Sequence, residues 1–178
     1  MLAQLIDNAE KLPDYDLAAW KPVFNGDMDL VIAADGDWYH QGTAIVRPKI
    51  KQLFARLLQR QANGDYWIIT PVEAFRITVV DLPFVVVSAD FVNEKGQGIW
   101  QFTTNMGDVV CLNQADHLVV TYDSEQPQPQ LFIREGLWGR INRPVFYQLA
   151  LASTVVESAQ GDFAQLASGV HQYNIGQL

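Results

Sequence analysis

The chain carries one cysteine, Cys111, and three histidines, His40, His117 and His171. A lone thiol excludes an internal disulfide. No Cys-x-x-Cys, His-x-x-x-His or His-Glu-x-x-His spacing occurs, so no local motif supplies a metal site. The serine elbow Gly-x-Ser-x-Gly is missing, as is the phosphate loop Gly-x-x-x-x-Gly-Lys. No window reaches the roughly 18 apolar residues of a membrane span. The longest apolar run, residues 77–87, is broken by Asp81 and Pro83. Residues 1–12 lack the basic region and apolar stretch of a signal peptide. Positive charge is also scarce: 12 Lys and Arg stand against 20 Asp and Glu, a net charge of −8. A field of that sign repels phosphate backbones and anionic membranes. These absences lead to the expectation of a cytoplasmic protein with no cofactor, metal or membrane partner.

What is present is a core. Of 178 residues, 49% are apolar, enough for one ordinary domain or two small ones. Leu2, Leu5, Ile6 and Ala9 recur at helical spacing and predict a short helix over 2–11, ended by Pro13. Residues 27–46 read as extended segments: Leu30-Val31-Ile32, Trp38-Tyr39-His40 and 43–46, with turns at Asp35-Gly36-Asp37 and Gln41-Gly42. Pro48 suits a first helical position. Ile50, Leu53, Phe54 and Leu57 then share one face, and Asn63-Gly64 stops the helix. Strands follow over 66–70, 75–80 and 84–91, then 99–103, 109–112 and 118–122. Residues 126–130, with two prolines, read as a connector before strands 131–134 and 137–141. Pro144 opens a second helix, expected to run to Glu157. Beyond it Gly161, Gly169 and Gly176 punctuate a tail with no periodic pattern.

The chain also echoes itself. A shift of thirty-three lays Trp67 on Trp100, Thr70 on Thr103, Val86 on Val119 and Asp90 on Asp123. A second echo places Arg47-Pro48 against Arg143-Pro144, each followed by Gln-Leu at Gln52-Leu53 and Gln148-Leu149. The expectation is an α+β protein built from a duplicated β-meander-plus-helix module. The two small domains would be 1–95 and 96–178, the second carrying a helix over 144–157, with the boundary in the polar link 93–98.

A family resemblance enters with Asp35-Gly36-Asp37-Trp38-Tyr39-His40-Gln41-Gly42. It continues through Arg47-Pro48, Thr70-Pro71-Val72-Glu73, Asp81-Leu82-Pro83-Phe84, Thr103-Thr104-Asn105-Met106-Gly107-Asp108 and Gly136-Leu137-Trp138-Gly139-Arg140-Ile141. Together these motifs, over roughly residues 27–150, resemble the bacterial domain-of-unknown-function family DUF1285. The resemblance implies a two-domain α+β core. It also implies a C-terminal half similar to pleckstrin-homology-like barrels, with a role in signal transduction or ligand binding. It brings no catalytic residues.

For chemistry, turn positions account for Asp35, Asp37, Asp81 and Asp108. Cys111 lies between Val110 and Leu112 on a predicted strand, where a buried inert thiol is expected. What stands out is a cluster of five cations, Arg47, Lys49, Lys51, Arg56 and Arg60, with no acid among them. Arg47 and Arg143 each precede a proline that opens a helix, and a helix start favours anions. The plainer reading is a solvated helix face or local pairing with acids. Trp38, Tyr39, Trp100 and Trp138 would line a pocket beside them, although aromatics at strand spacing more often build core. The expected ligand-binding set is Arg47, Arg143, Trp38, His40 and Arg140, with no catalytic and no metal residue. The function expected is a non-enzymatic module that binds a protein segment or small anion in a groove between the halves. The alternatives are a nucleic-acid binder using the basic helix 47–60 and an uncharacterised hydrolase.

Overall fold

The computed structural model describes residues 19–157 and 161–177, so the helix expected over 2–11 lies outside the described residues. The chain divides into two compact units. One runs to Pro83 and takes in Glu135–Leu137; the other holds Phe84–Arg134 and continues from Trp138. The boundary expected at 93–98 is therefore displaced. That link is the turn of a hairpin, with Asn93 paired to Gly98 across one ladder. Lys95 and Gly96 both take positive φ, 51° and 86°, the geometry of a two-residue hairpin turn whose twist matches its strands.

The first unit is a six-stranded sheet with a helix. Its strands are β1 (Val23–Ile32), β2 (Trp38–His40), β3 (Thr43–Ala44), β4 (Leu58–Arg60), β5 (Tyr66–Ile69) and β6 (Glu73–Val79). The order is β3-β2-β1-β6-β5-β4, with β1 and β6 parallel at the centre. Helix α1 (Pro48–Leu57) follows β3 and packs against β5. Its expected face is inward: Leu53, Phe54 and Leu57 are buried and Ile50 is half-buried, while Lys49 and Arg56 are exposed. The helix ends at Leu57, six residues before Asn63-Gly64. Leu57 and Leu58 are both buried, and the chain turns extended at Leu58 so that it can pair with Ile68. Sheet hydrogen bonding outweighs helix propensity there.

The second unit repeats the sheet plan. Its strands are β7 (Phe84–Glu94), β8 (Gln97–Thr104), β9 (Val109–Cys111), β10 (Leu118–Asp123), β11 (Gln126–Arg134) and β12 (Leu137–Ile141). Their order is β10-β11-β12-β7-β8-β9, with β12 and β7 parallel at the centre. Each unit thus joins two three-stranded meanders through a parallel pairing of its first and last strands. A duplication is present, but its alignment differs from the shift of thirty-three. By topology β1 answers β7 and β5 answers β11, whereas the echo lays Trp67 of β5 on Trp100 of β8. The expected first meander is split, with β5 and β6 in one sheet and β7 in the other.

Helix α2 (Arg143–Ala152) packs against β7. It stops five residues short of Glu157, because the β-branched run Thr154-Val155-Val156 forms strand β13 (Thr154–Val156). The tail is also structured. β14 (Phe163–Ser168) and β15 (His171–Gln177) make a hairpin, and β13 pairs with β14 at its edge. The hairpin's inner residues, Ala164, Leu166, Ser168, Tyr173 and Ile175, are buried, with β14 against β8 and β15 against β10. Residues 126–130 are strand, not connector. Pro127 and Pro129 are two apart, so both missing N–H groups fall on the same edge of β11. Cys111 is half-buried rather than buried, and Gln101 donates to its Sγ at 3.7 Å. Among the described residues no helix is long and apolar enough to cross a membrane.

Candidate functional site

The first unit contains an open polar groove of about 490 Å³ at β1, β5 and β6. It begins with an irregularity in β1. Gly26 takes φ 89°, a conformation open to glycine at little cost, and the β1–β6 register slips between Phe24 and Asp27. Such bulges re-aim side chains. Here Asp27 is set opposite Arg76 of β6. Arg76 Nε donates to Asp27 Oδ1 at 2.7 Å and Nη2 donates to Oδ2 at 2.9 Å. Arg76 Nη1 lies 3.7 Å from Asp65 Oδ2. The turn before β5 orients Asp65: Asn63 Nδ2 donates to Asp65 Oδ2 at 2.9 Å, and Gln61 N donates to Asp65 O at 2.8 Å. Met28, Gly64, Tyr66 and residues 77–79 complete the lining.

The electrostatics follow from this fork. Hydrogen bonds from Arg76 hold the Asp27 carboxyl below the usual carboxylate range, and Asp27 holds the Arg76 guanidinium above its usual value in return. Burial raises the Tyr66 hydroxyl; Arg60 pulls it down and Asp81 pushes it further up. Because its folded pKa is depressed, Asp27 contributes stability that is present above its unfolded pKa and lost as pH falls through the folded value. A carboxyl-detected NMR titration should find the Asp27 midpoint below the usual range. In Arg76→Met it should return to the ordinary value, and this acid-side loss of stability should disappear. An unchanged midpoint in that variant would show the fork to be absent in solution.

The structure distributes the residues singled out by sequence. Trp38 is core: it is fully buried, it stacks on Phe54 at 6.1 Å, and its Nε1 has no hydrogen-bond partner among the described residues. His40 is exposed at the end of β2. Arg47 is the N-cap of α1, exposed, with no side-chain cap and no acid in the first turn. Arg143 is not equivalent to it. Asn142 is the N-cap of α2, its side chain accepting from Val145 N at 2.9 Å, and Arg143 is already helical. Arg140 lies on β12 and donates to Pro129 O at 3.4 Å. The five-cation cluster is broken up. Lys51 reaches Asp37 at 3.4 Å, and Arg60 lies on β4 over the Tyr66 ring. Trp100 is buried, and Tyr39 and Trp138 are half-buried. Sequence reasoning missed Asp27, Asp65, Tyr66 and Arg76. Two signals were there for Asp27 and Arg76: the glycine at 26 beside the first, and the charge of the second within the apolar run Phe75-Arg76-Ile77.

The two units correspond to two family models. The DUF1285 N-terminal domain matches residues 16–82 and the DUF1285 C-terminal domain matches residues 83–175. The chain belongs to the DUF1285 family. A DUF1285 crystal structure from Silicibacter pomeroyi DSS-3 is 31% identical, with a TM-score of 0.83, over 98% of this chain and 95% of the other. A second DUF1285 structure, from Shewanella baltica OS155, is 26% identical, with a TM-score of 0.54, over 68% of this chain and 89% of its own. No curated protein matches. The resemblance read from the motifs thus holds across the chain. The family's own description is one of unknown function.

Proposed function

We propose that this DUF1285 protein is a non-enzymatic binding module serving signal transduction. Its first unit takes a positively charged group, the side chain of a basic peptide segment, in the groove beside Arg76. The supporting observation is the Asp27–Arg76–Asp65 fork. Two carboxylates converge on one guanidinium, leaving one negative charge in excess. Arg76 already directs its donors to those carboxylates, so an incoming anion would have to displace Asp27. An ammonium or guanidinium finds free carboxylate lone pairs instead. A volume of about 490 Å³ lies within the usual range for small-ligand sites. The expected pleckstrin-homology likeness belongs to the same reading. What supports it is a second unit made of a six-stranded sheet with a helix packed on it.

The alternative is the anion contact at Arg47 and Arg143. It is favoured by the exposure of Arg47 at a helix start with no acid in its first turn. One calorimetric experiment separates the readings. Short lysine- or arginine-bearing peptides should bind the wild type, and Asp27→Asn with Asp65→Asn should weaken them about tenfold or more. Glutamate peptides should not bind. If inorganic phosphate or glutamate peptides bind instead, and Arg47→Ala abolishes that binding, the groove reading fails and the anion reading replaces it.

A further inference from the structure

Helix α2 and strand β13 follow one another in the chain and carry exposed apolar side chains. α2 buries only Val145 and Leu149. Tyr147 and Leu151, one turn apart, are 62% and 89% exposed, and Val155 on β13 is 63% exposed. Val156 beside it is also exposed. β13 is the edge of its sheet, so its outer backbone groups have no ladder partner among the described residues. Residues 144–156 contain no charged residue, in a chain of net charge −8. Large apolar side chains left exposed close together in sequence point to an interaction site.

The charges at its two ends identify the occupant. Arg143 stands at the start of the uncharged stretch and Glu157 at its end, and both are exposed. Two copies laid antiparallel along this stretch bring Arg143 of each toward Glu157 of the other, at both ends, with Tyr147 and Leu151 between. That is the self-complementary arrangement a two-fold interface requires. The net charge of −8 makes two copies repel each other on average, and an uncharged stretch lowers that repulsion. Ten helical and five extended residues laid end to end reach at most about 32 Å, the scale of one side of a standard interface. We infer that the chain forms a two-fold homodimer through α2 and β13, with an apolar centre at Tyr147, Leu151 and Val155 and reciprocal Arg143–Glu157 pairs at its rim. This rests on none of the groove residues.

Sedimentation equilibrium of the whole chain tests it, over about 1 μM to 1 mM. The wild type should be a reversible dimer. Leu151→Asp should raise the dissociation constant roughly thirty-fold or more, as loss of an interface anchor does. Leu151 is so exposed that the monomer's melting temperature should fall by only a few degrees, the cost of an aspartate in the last helical turn. Arg143→Glu and Glu157→Arg should each weaken the dimer, and the double reversal should restore it. A wild type that stays monomeric throughout overturns the inference. So does a dimer indifferent to Leu151→Asp, or a double reversal no tighter than either single variant.

Discussion

Leu53→Ala should destabilise the first unit by about 2–5 kcal/mol, the range for emptying a fully buried leucine site. Leu53 is completely inaccessible on the face of α1 that packs against β5. Its helix neighbour Phe54 is also buried, and that ring stacks on Trp38. Trp38 is itself fully buried, and its indole N–H has no partner among the described residues. Val46→Ala, at a site 82% exposed just before the helix, should stay within about 0.5 kcal/mol. Chemical denaturation followed by hydrogen exchange of the β5 amides measures both variants and keeps the two units apart. A loss below about 0.5 kcal/mol for Leu53→Ala would mean that α1 turns another face inward.

That helix shows what could be read in advance. Proline at the first position and apolar residues every third and fourth place specify a face by local geometry alone, so the buried residues of α1 were legible. Strand positions were legible for a similar reason, since alternation and turn residues are local. Turns were found where glycine marked them, as at Gln41-Gly42. The turn between β10 and β11 was missed because Ser124 and Glu125 adopt positive φ, 47° and 69°, without glycine. With no punctuation before them, Pro127 and Pro129 made a strand look like a connector.

Strand order was not legible, because pairing of first with last strand depends on contacts far apart in sequence. The shift-of-thirty-three echo compared strands of similar composition, and composition reports burial rather than place in a sheet. The Arg-Pro echo reflects the chemistry of helix starts. α1 lies between the third and fourth strands of its unit, while α2 follows the sixth. The groove stayed hidden for the same reason. Asp27 and Arg76 are 49 residues apart and meet only because β1 and β6 pair in parallel across a bulge.

Ser168→Ala should cost the second unit about 2–5 kcal/mol, through hydrogen bonds rather than through volume. The Ser168 hydroxyl is buried. It accepts from Trp100 N at 2.9 Å and donates to Leu112 O at 2.6 Å. Alanine removes one small atom but leaves a donor on β8 and an acceptor beyond β9 without this partner. Each buried group left unsatisfied costs about 1–3 kcal/mol. The same contact anchors the C-terminal hairpin, which has further ties in Gly169 N to Gly98 O at 2.8 Å and Tyr173 Oη to Gln114 O at 2.8 Å. The loss should therefore be felt at both ends of the bridge. Exchange of the Trp100 amide should accelerate, and the β14 and β15 amides should lose protection with it. Ser168→Cys, similar in shape but a weaker donor and acceptor, should fall between alanine and wild type. If the hairpin amides exchange faster in Ser168→Ala while Trp100 keeps its protection, the hairpin is an appendage rather than part of the second unit's core. Joint loss is the expected result, because a single hydroxyl satisfies β8 and the segment after β9 at once.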